Sequence, residues 1–298
     1  MTVKKPKQYK VCAFGEILWD MLPEGKKLGG APANFAYHCN ALGQKVRLVS
    51  AVGFDELGTE IIETFASQGL KTTFIGYNAS CPTGVVDVGV SENGSPSYTI
   101  RENAAWDYIE LLPGVQPWSG NIDVIYFGSL AMRDEYNRHT LQRLFALAPP
   151  KALRVLDLNL RAPFCQPEVL KFVFPLANVL KLNDEELERV VRFLAIKRKT
   201  VESRIAALQE KFGYKLLIVT CGAEGSYLAD GDKCCYAPAQ KVKIKDTVGA
   251  GDAYIASAVI NFLDGKTLKE IGEEASRLAG YVCTQSGGTP AIPPDFIR

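Results

Sequence analysis

Short apolar runs alternate with amphipathic stretches along most of this 298-residue chain. That rhythm constrains the fold more than any other feature. A strand covered on both faces reads as a near-continuous apolar run, and a parallel neighbour needs a long crossover, usually a helix. Residues 9–14, 46–52, 124–127, 154–158, 179–182 and 216–220 fit that strand type. Residues 32–42, 56–68, 136–147, 184–193, 201–212 and 267–285 carry helical spacing, and Thr267-Leu268-Lys269-Glu270 opens the last as a capping box. The pattern predicts one α/β domain over residues 1–298: a three-layer α/β/α arrangement on a mostly parallel central sheet.

One region breaks the rhythm. Residues 83–90 read as a strand, Glu92-Asn93-Gly94-Ser95 as a turn, and 96–101 as the returning strand. Asn-Gly is a strong hairpin signal because both central turn positions need positive φ. Residues 15–27, with Ile17, Leu18, Trp19 and Met21, are expected to add a strand to the same small sheet. A lid sheet would then be inserted from about 15–28 and 77–107. The pattern alone fits a lid over a cleft and a hairpin decorating the domain edge equally well.

Net charge is +1, so nothing favours nucleic acid or an anionic membrane as partner. A small neutral or anionic ligand fits better. The eight cysteines are scattered without a C-x-x-C pair or zinc spacing, which suits reduced, buried thiols. The N-terminus is too short and polar for a signal peptide and no 18-residue apolar stretch occurs, so a cytoplasmic protein is expected.

Near the C-terminus stands Asp246-Thr247-Val248-Gly249-Ala250-Gly251-Asp252, followed by an apolar run that reads as a buried helix. A small-residue turn opening a helix lets unpaired amides and the positive helix end converge on an anion. A carboxylate beside such a site is unfavourable unless it acts there, for instance by taking the proton of an attacking hydroxyl. Alternatively, Asp252 is only a favourable partner of the helix dipole. No G-x-x-x-x-G-K-[ST] loop occurs, and Tyr254 stands where a dinucleotide fingerprint needs its third glycine.

The full string resembles the C-terminal signature of the ribokinase-like (PfkB) carbohydrate kinases. Gly29-Gly30-Ala31-Pro32-Ala33-Asn34-Phe35-Ala36 resembles their N-terminal signature, and the similarity covers essentially the whole chain. The resemblance implies a ribokinase-like fold with a small β-sheet lid and transfer of the γ-phosphoryl of ATP to a primary hydroxyl of a sugar. It implies that Asp20, Gly30, Asn34, Arg101 and Arg161 hold the sugar and that Asp252 is the base. The amides of Gly249, Ala250 and Gly251 would then stabilise the transferring phosphoryl group. Thr220-Cys221-Gly222-Ala223-Glu224-Gly225 resembles the family's turn beside the nucleotide, which together with Asn183 places Thr220, Gly222 and Gly225 near ATP. Asn183-Asp184-Glu185-Glu186 resembles the N-x-x-E element, which brings Glu186 toward Mg2+. A K+ site near Asp246 and Val248 and a homodimer through the lid are implied as well.

Residues 98–107 and 156–164 are similar to fructokinases, and the second segment also to 2-keto-3-deoxygluconate kinases. D-fructose is therefore the expected acceptor, with 2-keto-3-deoxygluconate, ribose or a nucleoside as alternatives within the family and a non-catalytic sugar sensor outside it. Several residues also have plainer readings. Asp20 and Arg161 would serve as solvated charges, Asn183 with Glu186 as a capping box, and residues 220–225 as a tight turn. Tyr254 and Ser257 depart from the family's usual Phe and Gly or Ala; both are expected in helix packing. His38 and His139 match no motif and are read as structural.

Overall fold

The computed structural model describes residues 7–23, 25–90 and 96–297. Its strands are β1 Lys10–Phe14, β2 Leu18–Leu22, β3 Gly25–Gly29, β4 Lys45–Gly53, β5 Ile75–Asn78, β6 Gly84–Val90 and β7 Pro96–Ile100. The chain continues with β8 Val124–Gly128, β9 Leu153–Asp157, β10 Val179–Asn183, β11 Leu216–Thr220, β12 Gly225–Asp230 and β13 Lys233–Pro238. Nine of them form one sheet in the order β13-β12-β11-β10-β9-β8-β1-β4-β5. All neighbouring pairs from β11 to β5 are parallel, and only β12 and β13 turn back antiparallel at one edge.

Alternation along β1 shows how the layers form. Cys12 and Phe14 join a core with the helices Glu135–Leu147, Asp184–Phe193 and Val201–Phe212, through Leu141, Leu187 and Ile205. Val11 and Ala13 face the opposite core, built with Ala31–Ala41, Glu56–Ser67, Ala250–Leu263 and Leu268–Cys283 through Phe35, Ile61, Ile255 and Ile271. Successive strand residues point to opposite faces, so a two-sided core demands the near-continuous apolar runs seen in the sequence. The six expected helices and six expected strands are all present, with ends shifted by at most two residues. Thr267 and Glu270 form the expected capping box, Oγ1 accepting from the Glu270 amide and Oε2 from the Thr267 amide.

Four strands form the small sheet in the order β3-β2-β6-β7. The sequence suggests one strand in residues 15–27; the structure has two, β2 and β3, paired antiparallel from Leu18–Gly29 to Leu22–Gly25. The expected Asn93-Gly94 turn lies outside the described residues, but β6 and β7 pair antiparallel on either side of it. The sheet is fastened to the body by Trp19, whose indole donates to the Leu57 carbonyl at 3.0 Å. Trp106 packs against its other side, fully buried, with β6 passing so close that only Gly84 fits: a Cβ there would run into the indole nitrogen. All eight cysteines are free. Among the described residues no helix is long and apolar enough to cross a membrane.

Overpacking of a tight core contact costs about 1–3 kcal/mol. Gly84→Ala should therefore lower the denaturant midpoint by a corresponding amount at unchanged m-value; an unaltered midpoint contradicts this packing of the small sheet on the body.

Candidate active site

Parallel strands end together, so the carboxyl ends of β1, β9, β10 and β11 bring distant residues to one edge of the sheet. Glu16 follows β1, Asp157 ends β9, Asn183 ends β10 and Thr220 ends β11. Above them lies the N-terminus of Ala250–Leu263, capped by Gly249 at φ 76°. That left-handed backbone suits glycine, and a Cβ would also collide with the Gly288 backbone. The bend is partly solvent-accessible from Gly249 to Asp252. Of the three amides expected to face an anion, that of Ala250 also meets the Thr247 carbonyl at 3.3 Å. His38 supports the bend from behind, donating from Nε2 to the Gly288 carbonyl at 2.9 Å. Burial lowers its pKa to about 4, so it works as a neutral strut.

Asp252 lies in the first turn of this helix and accepts a hydrogen bond from Asn34 Nδ2 at 2.9 Å. Its pKa is pushed up to about 7, by burial first and by the charge of Asp157 second, against the opposing pull of Asn34, Lys181 and Arg161. Asn34 belongs to Ala31–Ala41, which Gly30 precedes at φ 106° beneath the Glu16 carbonyl. The two sequence signatures, 218 residues apart, therefore meet at a single hydrogen bond.

Asp20 on β2 has its pKa raised to about 6 by burial, with Arg161 and Lys27 opposing. Arg161 follows β9, and its positive charge favours the ionised forms of Glu16, Asp20 and Asp252 alike. Arg101 stands apart. Its guanidinium donates bidentately to Asp87 across the β6–β7 pair, both bonds at 2.8 Å, and both side chains are exposed.

Sequence reasoning missed three charged residues at this edge. Lys181 Nζ donates to both oxygens of Asp157, at 2.9 and 3.2 Å, and the two are partners in the β9–β10 register. Glu16 is buried, with no hydrogen-bond partner for Oε2 among the described residues, and burial raises its pKa to about 7. Asp157 and Lys181 each interrupt an apolar run (Leu156-Asp157-Leu158, Leu180-Lys181-Leu182), and a charge inside a two-sided strand is the signal that could have found these two.

At the end of β10, Asn183 and Glu186 make a complete capping box, with bonds of 2.8 and 2.9 Å, and the second Glu186 oxygen accepts from the Leu160 amide at 2.6 Å. Both oxygens of Glu186 thus already hold backbone, as both oxygens of Asp157 hold Lys181. Among the described residues no three acidic, His or Cys side chains converge as a metal cage. A magnesium ion fits here only as a passenger on nucleotide phosphates, meeting Glu186 through water. Asp246 likewise accepts from the amides of Val248 and Gly287, at 3.0 and 2.9 Å. Burial works to raise its pKa, but these amides leave it below the usual value. Its carboxylate braces the bend, one oxygen on each amide. Thr220, Gly222 and Gly225 lie on the tight turn between β11 and β12, where the Cys221 amide donates to the Gly225 carbonyl at 2.7 Å. Tyr254 bonds Ser226 at 2.6 Å and Ser257 is buried within its helix, so both departures from the family pattern serve packing.

Raised carboxyl pKa values mean that the native state binds more protons than the unfolded chain between about pH 4 and 7. The stability these groups contribute is present in acid and lost as pH rises through that window. Asp252→Asn removes one of them, so the variant should gain stability over wild type at pH 8 and lose that advantage at pH 5 in denaturant titrations. A difference independent of pH contradicts the assignment.

The pfkB family carbohydrate kinase pattern matches residues 15–295. The chain is 27% identical to the fructokinase of Escherichia coli over 95% of its own length and 96% of that protein. The structure of Xylella fastidiosa fructokinase with bound ATP superposes with a TM-score of 0.83 at 23% identity, covering 95% of each chain. The 2-dehydro-3-deoxygluconokinase of Thermotoga maritima gives 0.85 at 18% identity over 97% of each. The family match takes in both signatures and the strands β9, β10 and β11 that feed the charged edge of the sheet, and the chain belongs to the pfkB family of carbohydrate kinases.

Proposed function

We propose that this sugar kinase transfers the γ-phosphoryl group of ATP to a primary hydroxyl of D-fructose. The observation that carries the reading is Asp252: a carboxylate in the first turn of a helix, oriented by Asn34, with its proton affinity lifted toward neutrality. A base is most effective when its pKa lies near the working pH, and such a group contributes about 10²–10⁴ in rate. Asp252 would take the proton of the attacking hydroxyl. The amides of Gly249, Ala250 and Gly251 would meet the charge developing on the phosphoryl oxygens, where losing one donor costs about 10²–10³. Asn183 and the turn at Thr220, Gly222 and Gly225 would seat the nucleotide, with magnesium arriving on its phosphates and neutralising their charge.

The acceptor would lie among Asp20, Gly30, Asn34 and Arg161, with Arg101 joining by exchanging Asp87 for the sugar. Charge favours a neutral sugar over a sugar acid. Glu16, Asp20, Asp157 and Asp252 are four carboxyl groups at this edge against three cations, Lys27, Lys181 and Arg161. An additional carboxylate from a keto-acid would enter a site already short of positive charge. Met21 and Tyr98 lie exposed on the lid, and a homodimer in which two lids meet belongs to the same reading.

An ADP-release assay with MgATP across fructose, glucose, ribose, 2-keto-3-deoxygluconate and adenosine should give the highest kcat/KM with fructose. A higher value for the keto-acid overturns the acceptor assignment, and no turnover with any of them overturns the kinase reading. Asp252→Asn should reduce kcat by at least about 10²; activity within tenfold of wild type overturns the base.

A further inference from the structure

Arg133 closes the turn Leu130–Arg133 that follows β8, and its side chain is only 9% exposed. Nε and Nη2 donate to the two oxygens of Asp107, each at 2.7 Å, and Nη2 also donates to the Arg101 carbonyl at 2.8 Å. The guanidinium carbon lies 4.2 Å from the ring centre of Trp106 and 4.4 Å from that of Phe164. One planar cation therefore holds three segments by two kinds of contact, the fork of hydrogen bonds and the stacking of rings.

The identity of those segments gives the cluster its meaning. Arg101 ends the lid hairpin, and its amide donates to the Val85 carbonyl on β6, so its carbonyl is the point where lid and body are joined. Asp107 turns the chain back into the body and accepts from the Ala104 amide at 3.0 Å. Phe164 lies three residues beyond Arg161, on the loop that leaves β9. Asn137 fixes the floor, donating to the carbonyls of Trp106 and Ala131 at 2.8 and 2.9 Å. The lid and the loop carrying Arg161 thus share one clamp.

We propose that Arg133 is a positioning residue for the sugar acceptor: it holds the lid's return segment and the Phe164 loop in one geometry, and so sets the spacing between Asp20 on the lid and Arg161 on the body. The inference rests on the sugar-kinase reading. Lysine is no substitute, because a point charge reproduces neither the fork nor the stacking plane.

Arg133→Lys tests this, with steady-state kinetics on the sugar the wild-type protein phosphorylates fastest and hydrogen exchange on the protein alone. Misplaced binding groups weaken acceptor use, so the acceptor KM should rise about tenfold or more while kcat and the KM for ATP stay within about threefold. Amide exchange should quicken in 84–90, 98–107 and 159–166 and stay unchanged in Ala250–Leu263. A merely structural arginine would lower the melting temperature and the active fraction, and leave the acceptor KM alone. An acceptor KM within twofold of wild type overturns the proposal. Asp107→Asn, which weakens the clamp but leaves the stacked guanidinium, should give the same pattern at smaller amplitude, and serves if the lysine variant does not fold. Failure of the kinase reading is separate: it appears as absent turnover in the unmodified protein. Exchange alone then decides, and unaltered exchange in 98–107 and 159–166 overturns the clamp.

Discussion

Lys181 and Asp157 face each other in register on neighbouring parallel strands, 2.9 Å apart and almost without solvent. Removing one partner of such a pair leaves an uncompensated buried charge, at a cost of about 3–5 kcal/mol. The pair is where the sheet meets its site. Gly251 lies directly over it, and a Cβ on that residue would come within 3.2 Å of the ammonium. The small-residue bend therefore makes room for a protein cation beneath it. Lys181 also opposes the forces that lift the Asp252 pKa, while Asp157 adds to them. The balance leaves Asp252 near neutrality, where a carboxyl group can accept and release a proton at working pH.

The rest of the molecule delivers residues to that pair. Parallel topology puts Glu16, Asp157, Asn183 and Thr220 on one edge although they span more than two hundred positions of sequence. The hydrogen bond from Asn34 to Asp252 joins the two ends of the chain across that edge. Over it lies a four-stranded sheet with specific attachments to the body, among them Trp19 to the Leu57 carbonyl, Lys26 to Glu60, Gly84 against Trp106, and Arg133 to the Arg101 carbonyl.

Much of the fold was legible in the sequence, because strands buried on both faces leave an unmistakable apolar signature. β10 and β11, with the helices Asp184–Phe193 and Val201–Phe212, lie where the pattern put them. The strands it missed sit at edges. β5 carries Gly76 and Tyr77 and β13 carries Lys233 and two cysteines; neither is apolar enough to read as a strand. β3 is polar and was merged with β2. At the site, short-range motifs located Asp252, Asn34 and the Asn183–Glu186 cap. Asp157, Lys181 and Glu16 went unseen because their meaning lies in what the sheet places beside them. Arg101 shows the converse: its motif resembles a sugar-binding segment, while its guanidinium is bound to Asp87, a neighbour that no linear pattern discloses.

The central claim is that Asp252 and the bend before it act on one acceptor and one phosphate together. A crystal structure with fructose and a non-hydrolysable ATP analogue tests it most directly. The account predicts a primary hydroxyl of the sugar within hydrogen-bond reach of the Asp252 carboxylate, about 2.6–3.2 Å, and the terminal phosphate lying over the amides from Gly249 to Gly251. A sugar whose hydroxyls all lie beyond that reach, or a terminal phosphate bound away from the bend, would contradict it.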